Sequence, residues 1–164
     1  MRYLGILLSA LLIMASGTIS NAKDEGFSGK WVLDKNADRS PNAPNGLQSH
    51  IKQDNSGVTI ESTFKEPENG LVPLLYLGVM TTKMRLSLDG QPAQNQIGPF
   101  QMASKTTINA NQMDTDWTAE VRGDQVQGHW THTLAPDGRR MTLEIKESST
   151  QGQTGTATLQ FIKK

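Results

Sequence analysis

The stretch that decides the fold covers residues 113–147: MDTDWTAEVR (113–122), GD (123–124), QVQGHWTHTL (125–134), APDG (135–138) and RRMTLEIKE (139–147). In its first segment Met113, Thr115, Trp117, Ala119 and Val121 occupy alternate positions, with Asp114, Asp116, Glu120 and Arg122 among those between them. Successive strand residues point to opposite sides, so this is a strand with one buried and one wet face. Gly123-Asp124 reads as a two-residue hairpin turn, because glycine accepts the positive φ such a turn needs. Folding about it sets Trp117 opposite Trp130 and Val121 opposite Val126. The second turn, Ala135-Pro136-Asp137-Gly138, sets Trp130 opposite Leu143 and His132 opposite Met141. Both registers bring apolar to apolar, and three antiparallel strands are expected.

The segments on either side follow the same pattern. Trp31 and Leu33 share one side of a short strand, and residues 36–46, with prolines and asparagines, read as a loop. Residues 47–53 and 58–64 flank the turn Asp54-Asn55-Ser56-Gly57, which pairs Ile51 with Ile60, Ser49 with Ser62 and Leu47 with Phe64. After polar residues 65–70 comes LVPLLYL (71–77), an uncharged apolar run whose Pro73 excludes a central strand but suits the first turn of a short helix. Residues 80–89 alternate strictly, with Met80, Thr82, Met84, Leu86 and Leu88 on one face. Residues 90–98 read as a Gln/Asn/Pro-rich connection, and Phe100, Met102, Thr106 and Ile108 mark a further strand face. A Ser/Thr/Gly/Gln loop over 148–155 leads to a last strand with Ala157, Leu159 and Phe161 inward.

Eight or nine short strands in hairpin sequence predict an all-β, up-and-down antiparallel barrel, with a two-sheet sandwich as the alternative. A closed barrel removes the exposed edges of a flat meander. Lys83, Arg85, Glu120, Arg122, Glu144 and Lys146 lie opposite the apolar stripe, where lipid would penalise every one of them, so a membrane barrel is not expected.

The first 22 residues, MRYLGILLSALLIMASGTISNA, carry one positive charge (Arg2), an apolar run over 4–15, and small residues before Lys23. This is the pattern of a secretory signal peptide, its apolar core being too short to span a bilayer. Residues 23–164 are then expected to form a single domain in the periplasm or outside the cell. The chain has no cysteine, so neither disulfides nor thiolate chemistry support it, and the fold must rest on its core. Sixteen basic residues against sixteen acidic ones leave no net charge, and no nucleic-acid partner is expected without a basic face.

Gly29-Lys30-Trp31 matches the Gly-x-Trp signature that opens the first strand of lipocalins. The fuller pattern resembles a bacterial group of exported lipocalin-like domains. It includes Phe27-Ser28-Gly29-Lys30-Trp31-Val32-Leu33-Asp34, then Leu88-Asp89-Gly90, then Leu134-Ala135-Pro136-Asp137-Gly138-Arg139-Arg140-Met141-Thr142. The resemblance covers most of residues 23–164 and implies a calycin-type barrel with a hydrophobic interior, but no defined activity. Two family features are missing: the Thr-Asp-Tyr segment between middle strands, and an arginine in the last strand to stack over Trp31. Lys163 is the nearest substitute, and lysine lacks the planar group that stacking uses.

The five methionines after the leader (Met80, Met84, Met102, Met113, Met141) all fall on inward faces. Thioethers fill gaps in cores and also adapt to irregular apolar ligands. The same faces carry Ser49, Ser62, Thr82, Ser104, Thr106, Thr115 and His132, more polar groups than a solid core tolerates unless each is hydrogen-bonded. A pocket with a few convergent polar groups uses them naturally.

His129 and His132, three apart on one strand, face opposite sides, and His50 points outward, so the histidines form no zinc site. The run Asp34-Lys35-Asn36-Ala37-Asp38 begins like a calcium loop, but Arg39 and Asn45 stand where glycine and glutamate are required. No metal and no cofactor is implied. Asp114 and Asp116 read as solvated, and no nucleophile elbow, phosphate loop or dinucleotide fingerprint occurs.

These residues point to a non-enzymatic barrel binding a small apolar or amphipathic molecule. Trp117, Trp130, His132, Met80, Met84, Met102 and Met141 would line the cavity, and Leu74, Leu75, Tyr76 and Leu77 would lid its mouth. The alternative is a protein-interaction or inhibitor module using the apolar 71–77 segment, which could also support self-association. An enzyme would have only His132 and scattered carboxylates to work with.

Overall fold

The structure, a computed structural model, describes residues 26–34, 36–37, 45–65, 81–88, 90–97, 100–121 and 123–164. Residues 1–22, expected to be a signal peptide, the apolar 71–77 segment with Leu74, Leu75, Tyr76 and Leu77, and Met80 lie outside the described residues. Ten strands form one antiparallel sheet: β1 (Gly29–Leu33), β2 (Asn45–Gln53), β3 (Gly57–Lys65), β4 (Thr81–Ser87), β5 (Ala93–Ile97), β6 (Phe100–Asn109), β7 (Gln112–Val121), β8 (Asp124–Leu134), β9 (Arg140–Ser149) and β10 (Thr154–Lys163). Their order is β4-β3-β2-β1-β10-β9-β8-β7-β6-β5. Every neighbouring pair except β1–β10 is consecutive in sequence, so the chain meanders up and down and β1–β10 joins its two ends.

The two-sheet sandwich is therefore not formed, and the strands among the described residues number ten rather than eight or nine. The additional one is β5, in the segment expected to be a connection. It pairs with β6 from Ala93↔Ser104 to Ile97↔Phe100, although only Ile97 among its side chains is buried. The sheet's two outer strands, β4 and β5, meet without a main-chain ladder. Instead the Asn95 carboxamide takes the place of a peptide group: its Oδ1 accepts from the Arg85 backbone N–H at 2.6 Å, and its Nδ2 donates to the Arg85 carbonyl at 3.1 Å. The result is a nearly closed barrel with a side-chain seam.

Alternation places the core as expected. Phe27, Trp31, Ile51, Val58, Leu86, Met102, Met113, Trp117, Trp130, Met141, Leu159 and Phe161 are among the buried side chains of a single cluster. Lys83, Arg85, Glu120, Glu144 and Lys146 stay on the wet outer face. The β2–β3 register pairs Ile51 with Ile60 and Ser49 with Ser62 as expected, but a shift between Asn45 and Gln48 interrupts the ladder near Leu47.

The two central hairpins are offset from the expected registers by two residues. Trp117 faces Gly128, Thr115 faces Trp130 and Ala119 faces Val126, and Asp124 pairs with Val121, so it belongs to the strand and not to the turn. Trp130 faces Ile145, His132 faces Leu143 and Leu134 faces Met141, which widens the second turn. An even offset leaves every side chain on its expected face, since the side-chain period is two. Gly128 shows why the first offset occurs. A Cβ there would collide with the Trp117 indole, so the missing side chain is the space in which that ring lies. The loop expected over 148–155 is also shorter, because Thr154 already pairs with Ser148.

Candidate functional site

The interior is built from the inward positions of β2–β4 and β6–β10. Trp117 and Trp130 pack with ring centroids 5.3 Å apart and planes tilted by 49°, a favourable arrangement for two quadrupoles. Beside them lies a cavity of about 20 Å³ between Ser49, Ser62, Met84, Trp130, His132, Met141 and neighbouring aliphatic side chains. Four of the seven residues expected to line a ligand cavity thus meet around one void. Trp117 and Met102 are buried but lie away from its lining, and Met80 is outside the described residues. The void itself is far smaller than expected: it has room for about one water, not for a lipid chain.

The inward hydroxyls divide into two groups. Ser49 and Ser62 hydrogen-bond across β2–β3 at 2.8 Å, and Thr106 and Thr115 across β6–β7 at 3.0 Å. These satisfy one another. Thr82 Oγ1, Ser104 Oγ, Trp117 Nε1, Trp130 Nε1 and His132 Nδ1 are buried with no hydrogen-bonding partner among the described residues. Burial lowers the His132 pKa from 6.5 to about 4, with the Asp114 charge opposing it weakly, so the imidazole is neutral at pH 7.

Two buried acids were not anticipated. Glu147 follows Met141, Leu143 and Ile145 on the inward face of β9, and Asp124 starts β8, where it accepts a hydrogen bond from Thr150 Oγ1. The Thr150 hydrogen bond, followed by one from Ser149, holds the Asp124 pKa below its usual value. Continuing the alternation of β9 by one step would have found Glu147.

On the outer face, Asp114 and Asp116 are not merely solvated. His129 Nδ1 lies 2.7 Å from Asp116 Oδ1, while Thr131 donates to Asp114 Oδ1 at 2.9 Å and Gln112 to its Oδ2 at 2.7 Å. The Asp114 pKa falls below its usual value: desolvation opposes the shift, and the Gln112 and Thr131 hydrogen bonds with the nearby His129 outweigh it. This network borders an open hollow of about 600 Å³ whose rim carries Lys105, Asp116, His129 and Lys146. Its lining also includes Pro92, Ala103, Ser104, Trp117 and Glu147, so it sets those charges beside a mostly apolar surface. Among the described residues no group of three or more His, Cys, Asp or Glu side chains is arranged to hold a metal ion.

At the chain ends, the Trp31 indole donates to the Phe27 carbonyl at 2.9 Å, and Lys163 Nζ lies 5.6 Å from the Trp31 ring centroid. The lysine thus caps the tryptophan as a point cation, without the planar stacking that an arginine would give. Gly29 makes this possible. Its φ of 148° disfavours other residues, and a Cβ there would strike the Lys163 stem. That is a physical reason for glycine at position 29.

No protein-family model matches the sequence, and no curated protein does. Solved structures do. A REP1-NXSQ fatty acid transporter aligns with a TM-score of 0.53 at 14% identity, over 84% of this chain and 95% of that one. The chain folds as a calycin-type barrel. A secretory abundant heat soluble protein of Ramazzottius varieornatus aligns with a TM-score of 0.53 at 10% identity, over 84% and 94% of the two chains. Secretory abundant heat soluble protein 4 of the same organism gives 0.50 at 15%, over 85% and 96%. At such identities the calycin-type likeness concerns the path of the backbone, not the ligand.

Proposed function

We propose that this chain is an exported, non-enzymatic barrel that binds a small apolar or amphipathic molecule in its interior. Export is inferred from the leader over residues 1–22. The observation that carries the binding reading is the set of buried, unpartnered polar atoms facing a methionine-rich interior: Trp117 Nε1, Trp130 Nε1, Thr82 Oγ1, Ser104 Oγ and His132 Nδ1. Each such group costs about 1–3 kcal/mol when left unsatisfied, so a solid core would be expected to have eliminated them. The fatty acid transporter that shares the backbone path supports the same reading by analogy.

The 20 Å³ cavity requires that the guest make its own room. Met84 and Met141 border that cavity, and unbranched thioether side chains change rotamer readily. Entry is assigned to the β4–β5 seam, where the Asn95 carboxamide bridges to the Arg85 main chain in place of a strand ladder.

Titration with the neutral probe N-phenyl-1-naphthylamine tests the reading. A saturable, one-to-one fluorescence rise is expected, and Trp130→Ala, with its fold checked by far-UV circular dichroism, should weaken it by about tenfold or more. Equal saturation by the folded variant and the parent, or no saturation by the parent, contradicts interior binding.

A further inference from the structure

Resting on the interior-binding reading, the charge inventory of the barrel wall restricts the head group of the guest. We infer that the interior selects an uncharged, hydrogen-bond-accepting head, such as an alcohol, amide or ester, over a carboxylate. Among the described residues the buried polar and charged side chains are Ser49, Ser62, Thr82, Ser104, Thr106, Thr115, Asp124, His132 and Glu147. No lysine or arginine is among them. Lys163 is partly buried, but its ammonium is placed over the Trp31 ring at the β1–β10 joint.

What the interior does offer is neutral donors. Trp117 and Trp130 adjoin one another, each with an indole N–H that meets no acceptor, and Ser104 is the register partner of Trp117 with a free hydroxyl. Indole nitrogen only donates, so these two groups demand an acceptor from the guest. A carboxylate could accept from them, but it would be buried without a countercharge. Removing an ion from water without pairing is far more costly than removing an amide or alcohol. The carboxyls of Asp124 and Glu147 add acid rather than base to the wall made by β8 and β9. An alcohol, amide or ester carbonyl takes the same hydrogen bonds without that penalty.

The experiment uses guests that share one chain length and differ in the head: decanol, decanamide and decanoate, each displacing N-phenyl-1-naphthylamine at pH 7.5. Decanol and decanamide are expected to displace the probe at concentrations about tenfold or more below decanoate. Trp130→Phe keeps an aromatic ring but removes one donor. It should weaken decanamide by about three- to tenfold more than it weakens the probe, which carries no strong acceptor. Decanoate binding as well as or better than the neutral pair overturns the head-group inference while leaving interior binding in place, as does displacement by none of the three. Failure of the probe itself to bind overturns both. Equal loss of all ligands in Trp130→Phe means that the indole acts by packing and not as a donor, which also overturns the inference.

Discussion

The barrel has two joints, and they are built differently. Where the chain ends meet, β1 and β10 pair through main chain at Trp31↔Lys163, Val32↔Ile162 and Leu33↔Phe161. Further backbone bonds, Asp34 N–H to Gln160 O at 2.7 Å and Lys164 N–H to Lys30 O at 2.9 Å, extend that ladder. Trp31 and Phe161 are buried beneath it. Where β4 meets β5, the two described hydrogen bonds both come from the side chain of Asn95. A ladder over buried aromatics opens only with the whole fold, whereas a seam without a main-chain ladder can open locally. The comparison teaches that this barrel is fastened by main chain between β1 and β10 and, among the described residues, by a side chain between β4 and β5, the proposed point of entry.

Trp31→Ala should produce the largest effect. Deleting a fully buried tryptophan from the terminal joint is expected to cost about 3–5 kcal/mol in urea unfolding. A loss under about 1 kcal/mol would mean that the joint does not depend on the ring.

The dryness of the interior behind the seam can be read from His132. Its folded pKa of about 4 lies below the unfolded value of 6.5, so the unfolded chain binds the proton first as pH falls. Stability contributed by the neutral imidazole is full above pH 6.5, is lost progressively down to about pH 4, and changes no further below. The loss over that window is expected to be about 3 kcal/mol, and His132→Gln should flatten it in unfolding curves taken at several pH values. An unchanged slope in the variant would place the titrating group elsewhere, or water beside the imidazole.

A smaller effect is expected from Gly29→Ala, which puts a Cβ against the Lys163 stem at a positive φ. The cost should be about 1–3 kcal/mol, and pairing it with Lys163→Ala should recover the steric part. Strict additivity would show that the lysine stem is not what Gly29 accommodates. At the seam, Asn95→Ala should lower global stability by about 1 kcal/mol or less. Amide exchange at Arg85, which loses its acceptor, should quicken while β9 and β10 stay protected. Equal protection of Arg85 in the parent and the variant would remove the special status of the seam.

Much of this architecture was readable in the chain because alternation is local. Each strand from β6 to β10 declares its inward side through residues such as Met102, Trp117, Trp130, Leu143 and Leu159, and those sides are the buried ones. Registers are different, because alternation fixes only parity. What chose Trp117↔Gly128 over Trp117↔Trp130 is the space left by a missing Cβ, a match between two strands that neither strand shows alone. The strand β5 was hidden because AQNQI has one buried apolar side chain and is flanked by Pro92 and Pro99. In the candidate site, Met84, Trp130, His132 and Met141 were legible as inward residues, but the volume they enclose depends on how the side chains interlock. Glu147 was overlooked because an acid seldom continues an apolar stripe.

The most direct test of the ligand-binding account is native mass spectrometry of the protein purified from its own host without denaturation. The account predicts one noncovalent small molecule per chain, uncharged in its head group and released on unfolding. A bare protein that also stays bare after exposure to decanol and decanamide would contradict it.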